Sequence, residues 1–187
     1  MARRKNNHIF VVRSGRVKAR LMRRANYEDI MRIKKLLYFV KLDMEENNLP
    51  MWDKDYPTKE MIIDDIKNNG VFLYYEYDIL KGMFARRRRM PGYMREVAFK
   101  PANKPVYISK ICVHPKYRNV GHATRIFDFI LRYAEVNQFD AIRCSIDKRD
   151  TISIEMFEEA NFKRKKKIVD CYGKKHVVYE YNMNYEE

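Results

Sequence analysis

The residues best placed to do chemistry lie between an apolar run, Val106 to Val113, and a long amphipathic segment, Gly121 to Asn137. The run stops at Pro115, and the chain passes through Lys116-Tyr117-Arg118-Asn119-Val120-Gly121-His122-Ala123 straight into the segment, whose Ala123, Ile126, Phe127, Ile130, Leu131 and Ala134 trace one apolar helical face. A strand that turns directly into a helix binds anions. The first N–H groups of the helix lack intrahelical acceptors, its dipole adds partial positive charge, and Gly121 lets a ligand approach the backbone. A pyrophosphate fits such a turn, although a glycine at a helix start also has a purely steric use. His114 and His122 flank the turn and are expected at its corner and on the solvent face rather than in acid–base roles.

The elements that position this turn read as follows. Residues 1–16 are expected to form a basic arm, with one short apolar stretch at Ile9-Phe10-Val11-Val12, ahead of a single domain over residues 17–187. Val17 to Arg24 suits a strand. Asn26 with Asp29 three residues on forms a near capping box for a first helix, carried by Ile30, Ile33, Leu37 and Val40 and expected to end near Leu42. Asp43 to Tyr56 is expected to be irregular. Thr58 to Asn69 suits a second helix with Gly70 as its C-terminal cap, and Val71 to Tyr77 a strand that turns near Asp78 into another at Ile79 to Arg86. After Val106 to Val113 and the long helix come a strand at Ala141 to Ile146, a helix at Thr151 to Ala160 and a strand at Val177 to Met183. The order β-α-α-β-β-β-α-β-α-β is that of a mixed α/β sheet domain.

Charge is segregated along the chain. The net charge is +14, with nine Lys or Arg and no acid in residues 1–24, and further clusters at Arg86-Arg87-Arg88-Arg89 and Lys163-Arg164-Lys165-Lys166-Lys167. Residues 43–65 carry eight acidic and two basic side chains. Each basic run alone reads as a solvated face. Together they offer a docking surface to a polyanion, nucleic acid or acidic protein, through the arm. No apolar run spans a bilayer and no cleavable leader follows the basic start, so a cytoplasmic protein with no membrane partner is expected. Cys112, Cys144 and Cys171 lack metal or redox spacing and read as buried free thiols, with no metal site.

The segment Val113-x-Pro115-x-Tyr117-Arg118-x-x-Gly121-x-Ala123 resembles the signature of the GNAT superfamily of acyl-CoA N-acyltransferases, and the match continues to Ala160-Asn161-Phe162, where the family reads Leu-Gly-Phe. Ala19 to Asp29 resembles the family's opening strand and first helix more loosely. The resemblance implies a mostly antiparallel, twisted sheet flanked by helices. It also implies an acetyl-CoA co-substrate whose pyrophosphate is held by the backbone N–H groups of Arg118, Asn119, Val120, Gly121, His122, Ala123 and Thr124. The pantetheine arm would lie along Ile111, Cys112 and Val113 as an added strand would.

Activity implied by the resemblance is acetyl transfer to a primary amine: a protein lysine or N-terminus, a polyamine or another small cation. The acidic stretch Asp43, Glu45, Glu46, Asp53 and Asp55 with Trp52 follows the first helix, where the family builds its acceptor site, and favours a cationic amine. The family's proton-donating tyrosine corresponds to Phe157, its helix-opening Asn to Asp150 and its Gly to Asn161. Carboxylates used by other members correspond to Tyr107 and Ser145, so no acid or base is inherited. Tyr107 and Asp147 remain as candidates from the sequence itself. The competing reading is a GNAT fold without catalysis, serving as a nucleic-acid- or protein-binding module.

Overall fold

The computed structural model describes residues 10–12, 20–170 and 173–183. They form one eight-stranded sheet. Its strands are β1 (Phe10–Val12), β2 (Arg20–Arg24), β3 (Val71–Glu76), β4 (Ile79–Arg87), β5 (Pro105–Val113), β6 (Ala141–Asp147), β7 (Lys163–Val169) and β8 (Lys175–Asn182). The order across the sheet is β1-β2-β3-β4-β5-β6-β8-β7, antiparallel throughout except for the β5–β6 pair. Helices α1 (Ile30–Glu46) and α2 (Lys59–Lys67) precede β3, α3 (His122–Val136) crosses from β5 to β6, and α4 (Thr151–Glu159) follows β6. Among the described residues, no helix is long and apolar enough to cross a membrane.

Strand periodicity divides the core between the two faces. Alternate residues of β3 face opposite ways: Val71, Leu73 and Tyr75 pack with Ile33, Leu37 and Val40 of α1, while Phe72 and Tyr74 join Ile126 and Ile130 of α3. Both sides of β3 are therefore buried, which accounts for its uninterrupted apolar run. Each of the fully buried aliphatic side chains contributes about 1.5–3 kcal/mol.

Several expected boundaries change. Two strands are additions to the expected order: Phe10–Val12, inside the expected arm, pairs with β2, and the basic run from Lys163 forms β7. β7 is an edge strand, where exposed cations discourage pairing with another chain, and its Lys165 instead turns inward to Glu180 at 2.7 Å. Charge masked its strand character in the sequence. α1 runs one turn past Leu42 because no breaker occurs before Asn47, and Met44 packs on the core. Asn69, not Gly70, takes the left-handed conformation after α2, with φ 52°. Gly70 meets a different need: a Cβ there would lie 2.4 Å from the Arg86 carbonyl oxygen. The Asn26–Asp29 capping box is present and opens a single 3-10 turn, Tyr27–Asp29, that leads into α1. Strand residues expected at 17–19 and Cys171 lie outside the described residues.

The feature that positions the site is a break in the pairing of β5. Two residues, Lys110 and Ile111, stand opposite Phe84 alone, since Met83 pairs with Cys112 and Ala85 with Ser109. Lys110 has φ 55°. This bulge shifts the alternation, so that Ile108 and Val113 share the α3 face although five positions apart. On its other side β5 pairs with β6 only from Pro105↔Ala141 to Ile108↔Cys144. Beyond that point β5 stays with β4 while β6 stays with β8 as far as Asp147↔His176, and the sheet opens between them.

Candidate active site

At one end of this opening stands the turn into α3. His114 begins a 3-10 turn, Pro115–Tyr117, by accepting the Lys116 N–H on Nδ1 at 3.2 Å. Asn119 and Gly121 are left-handed, with φ of 62° and 80°, and Gly121 caps α3. Residues 118–121 are exposed. A side chain at position 121 would be strained, and its Cβ would lie 3.4 Å from Arg125 Nη1. Arg125 also donates to the Val120 carbonyl at 2.8 Å, which places a second guanidinium beside the turn. The arrangement fits a diphosphate: orphan N–H groups, a helix dipole and two arginines converge on open backbone.

Two expectations about this turn are corrected. The Arg118 N–H is engaged by the Pro115 carbonyl at 3.2 Å, and its side chain reaches Asp43 at 2.5 Å and the Val113 carbonyl at 3.4 Å, so Arg118 offers charge rather than main chain. His122 does not face solvent. It is 4% exposed, its ring tilted against Tyr74 at 5.4 Å, with Nε2 3.7 Å from Glu76. Burial lowers its pKa against the opposing pull of Glu76. The left-handed turn at Gly121 rotates the first helical residue onto β3, which helical periodicity cannot anticipate. Ile111 lines the opening, while the Cys112 and Val113 side chains are core; burial pushes the Cys112 thiol up to about 12. Past Ile108 the main chain of this stretch has no strand on its β6 side, as an added-strand ligand requires.

At the other end the opening deepens into a pocket lined by Trp52, Tyr56, Lys110, Asp147, Phe157 and His176, among others. The Asp147 carboxylate is held by Arg149, which donates from Nη2 at 2.7 Å and from Nε at 2.9 Å. Burial pushes this carboxyl up, and the Arg149 bonds outweigh it and hold it below the usual range. Tyr107 lies outside the lining: its hydroxyl accepts from Arg143 at 3.2 Å, and its ring packs with Met94, Val97 and Val178. Its place on the wrong side of β5 removes it as a base. Asp150 caps α4 by accepting the Ser153 N–H at 3.0 Å. Asn161 has φ 63°, the conformation a glycine would supply there.

The acidic stretch enters the site only in part. Trp52 lines the pocket, edge-on to Tyr56 at 6.0 Å, but Asp43 is paired with Arg118 and Asp53 with Lys174 at 2.7 Å. Phe157 is buried in an aromatic cluster, T-shaped against Phe127 at 4.8 Å and Phe162 at 4.9 Å, with one side toward the cavity.

The family model described as Acetyltransferase (GNAT) family matches residues 36–162, which include the turn, the opening and most of the pocket. The chain belongs to the GNAT acetyltransferase family. GNAT members use acetyl-CoA as co-substrate, and the fold agrees with solved members. A GNAT family acetyltransferase of Streptococcus agalactiae superposes with a TM-score of 0.76 at 16% identity, over 89% of this chain and 97% of that one. One from Listeria monocytogenes gives 0.73 at 15%, over 93% and 100%. The yncA protein of Salmonella typhimurium, solved with its cofactor acetyl-CoA, gives 0.64 at 13%, over 89% and 95%. No curated protein sequence matches the chain.

Within this GNAT fold, sequence reasoning missed two groups. One is a buried ion cluster behind the pocket, where Asp65 accepts from Lys110 Nζ at 2.9 Å and Arg87 Nε at 2.6 Å. Desolvation lowers the Lys110 pKa, with Asp65 opposing. The other is His176, whose Nε2 lies 3.0 Å from Asp170 Oδ2. A signal for the second existed in Asp170 and Gly173, turn-forming residue types six and three positions before His176, and the Gly173 N–H donates to the Asp170 carbonyl at 3.1 Å.

Proposed function

We propose that this protein is an acetyl-CoA-dependent N-acetyltransferase acting on a primary amine, in the reducing, cytoplasmic setting that leaves buried Cys112 and Cys144 as thiols. The observation that carries the reading is the continuity of the opening between β5 and β6, which leads from the α3 turn to the aromatic pocket. In this reading the N–H groups of residues 119–124, with Arg118 and Arg125, hold the diphosphate. The unpaired edge of β5 from Ser109 to Val113 holds the pantetheine amides. Acetyl-CoA supplies the activated acyl group. Trp52 and Tyr56 receive the acceptor, and the carboxylates of Asp147, Asp150 and Asp170 around the same cavity favour a cationic one. Phe157 donates no proton, so the thiolate leaves as an anion or takes its proton from water, at the loss of the roughly 10²–10⁴-fold assistance of a general acid.

Calorimetric titration with acetyl-CoA and with CoA, followed by thiol release with spermidine, a lysine peptide and a free-N-terminus peptide, tests the proposal. Saturable binding of both nucleotides and turnover of at least one amine are expected. Absence of acetyl-CoA binding would overturn it, as would binding with no transfer to any of the three.

A second reading, docking to nucleic acid, draws support from β7, where Lys163, Arg164, Lys166 and Lys167 are all exposed on one sheet edge. Replacing Lys163, Arg164 and Lys167 by Gln should weaken binding to duplex DNA and flatten its salt dependence by about 0.9 in log–log slope for each phosphate no longer neutralised. Equal affinity in a salt series would exclude this edge.

A further inference from the structure

The pocket holds a histidine that the turn, the core and the ion clusters leave with an unused atom. His176 sits on β8 opposite Asp147 of β6, where the opening meets the end of the sheet. Its Nε2 lies 3.0 Å from Asp170 Oδ2, and Asp170 is itself fixed by the Lys174 N–H on Oδ1 at 2.9 Å. An ionised carboxylate only accepts, so Nε2 carries the ring proton and Nδ1 carries the lone pair. Among the described residues, Nδ1 is buried and has no hydrogen-bond partner. The Tyr93 ring stacks at 6.4 Å and 27°, and the Tyr93 hydroxyl lies 3.2 Å from Ser145 Oγ, so the imidazole is held between a fixed acid and a fixed ring. An acid–imidazole pair of this kind presents a lone pair in a defined direction and stabilises the imidazolium formed when that lone pair takes a proton.

Resting on the acetyltransferase reading above, we propose that His176 is the general base of the reaction and that Asp170 is its positioning residue. His176 Nδ1 takes one proton from the acceptor ammonium, and the freed amine nitrogen attacks the thioester carbonyl carbon. The N–C bond forms and the C–S bond breaks. The second nitrogen proton passes through water to the departing thiolate, and the imidazolium returns its proton to solvent, so the products are an acetamide, a thiol and one proton. This assignment places the base on β8, on the far side of the opening from the β5 position where the family's carboxylate corresponds to Tyr107. Asp147, already bonded to Arg149, is left as an electrostatic neighbour. The charged and titratable groups around the imidazole are Asp170 beyond β7, Asp147 at the end of β6 with Arg149 just past it, Tyr93 from the loop before β5, Lys174 just ahead of β8 and Lys175 on it.

The test uses the full chain, His176→Gln and Asp170→Asn. A glutamine amide keeps a donor for Asp170 and removes the basic nitrogen. Expected for His176→Gln are unchanged calorimetric affinity for acetyl-CoA, a fall in kcat of about 10²–10⁴-fold and loss of the acid limb of the wild-type kcat–pH profile. Asp170→Asn removes the charge that favours imidazolium, so its acid limb should move to lower pH with a smaller fall in kcat and no change in acetyl-CoA KM. The intact nucleotide affinity reports folding in both variants. A kcat for His176→Gln within about threefold of wild type, with the acid limb retained, would overturn the assignment while leaving the acetyltransferase reading intact. Wild-type protein that binds acetyl-CoA and acetylates no amine would instead overturn both.

Discussion

At the α3 end of the opening, the groups aimed at a ligand belong to one continuous stretch, residues 118–125, and most are main-chain N–H groups. At the Trp52–His176 end they are side chains drawn from α2's approach, β5, β6, α4 and β8, and three of them are held by a partner side chain: Lys110 by Asp65, Asp147 by Arg149, His176 by Asp170. A backbone site needs one permissive residue and a helix. A side-chain site needs every supporting contact, so it should tolerate damage far less well.

The largest expected effect breaks the side-chain end. Asp65→Ala leaves Lys110, 3% exposed, and Arg87 without their shared carboxylate, and should cost about 3–5 kcal/mol in chemical denaturation, with distortion of the pocket wall. A loss under about 1 kcal/mol would mean that water takes over from the carboxylate and that the pocket is less tightly built than its contacts suggest.

Gly121→Glu breaks the other end differently. Forcing a side chain into φ 80° beside Arg125 should cost only about 1–2 kcal/mol of stability, so the domain folds. Its carboxylate at the diphosphate site should weaken acetyl-CoA by about a hundredfold or more, or about 2.7 kcal/mol, by calorimetry. Retained affinity would show that the turn does not hold the diphosphate.

Acid should weaken two buried carboxylates of the scaffold together, Asp29 ahead of α1 and Glu180 on β8. Burial pushes the Asp29 carboxyl up, but the Arg23 guanidinium and the Asn26 N–H outweigh it; at Glu180 the same burial is outweighed by Lys165, the Lys100 N–H and Arg143. Both therefore titrate lower in the folded chain than in the unfolded one. The stability they contribute is complete above the unfolded value of about 4 and is lost as pH falls through the folded values. Thermal midpoints should be level in this respect from pH 7 to about 5 and fall below about 4. A midpoint that rises on acidification would contradict the geometry at both sites.

The smallest effect sharpens the comparison inside the pocket. Phe157→Tyr should change stability by under about 1 kcal/mol, because one side of the ring faces the cavity, and turnover should stay level or rise. A large fall in acetyl transfer with the fold intact would show that the cavity beside Phe157 must stay apolar.

Legibility in the sequence follows the same division. The α3 turn could be read because Val113, Pro115, Tyr117, Arg118, Gly121 and Ala123 are neighbours in the chain and act through local backbone geometry, and the β-α alternation could be read because side-chain periods of 2 and 3.6 are local too. Asn161 was visible as a departure, yet only its φ of 63° shows that it keeps the conformation of the glycine it replaces. Local composition even misled at Lys163–Val169, where charge concealed an edge strand.

By itself, then, the sequence determined the family, the order of most elements and the anion-binding turn, since these depend on residues close together in the chain. The tertiary structure alone decided that Tyr107 lies outside the pocket, that His122 is buried, and that Asp147 is bound to Arg149. It alone brought Trp52, Lys110, Phe157 and His176 around one cavity. The physical reason is the bulge at Lys110 and the parting of β5 from β6. A one-residue shift in strand phase reassigns every side chain beyond it to the opposite face, and a gap in a sheet is a property of four strands together.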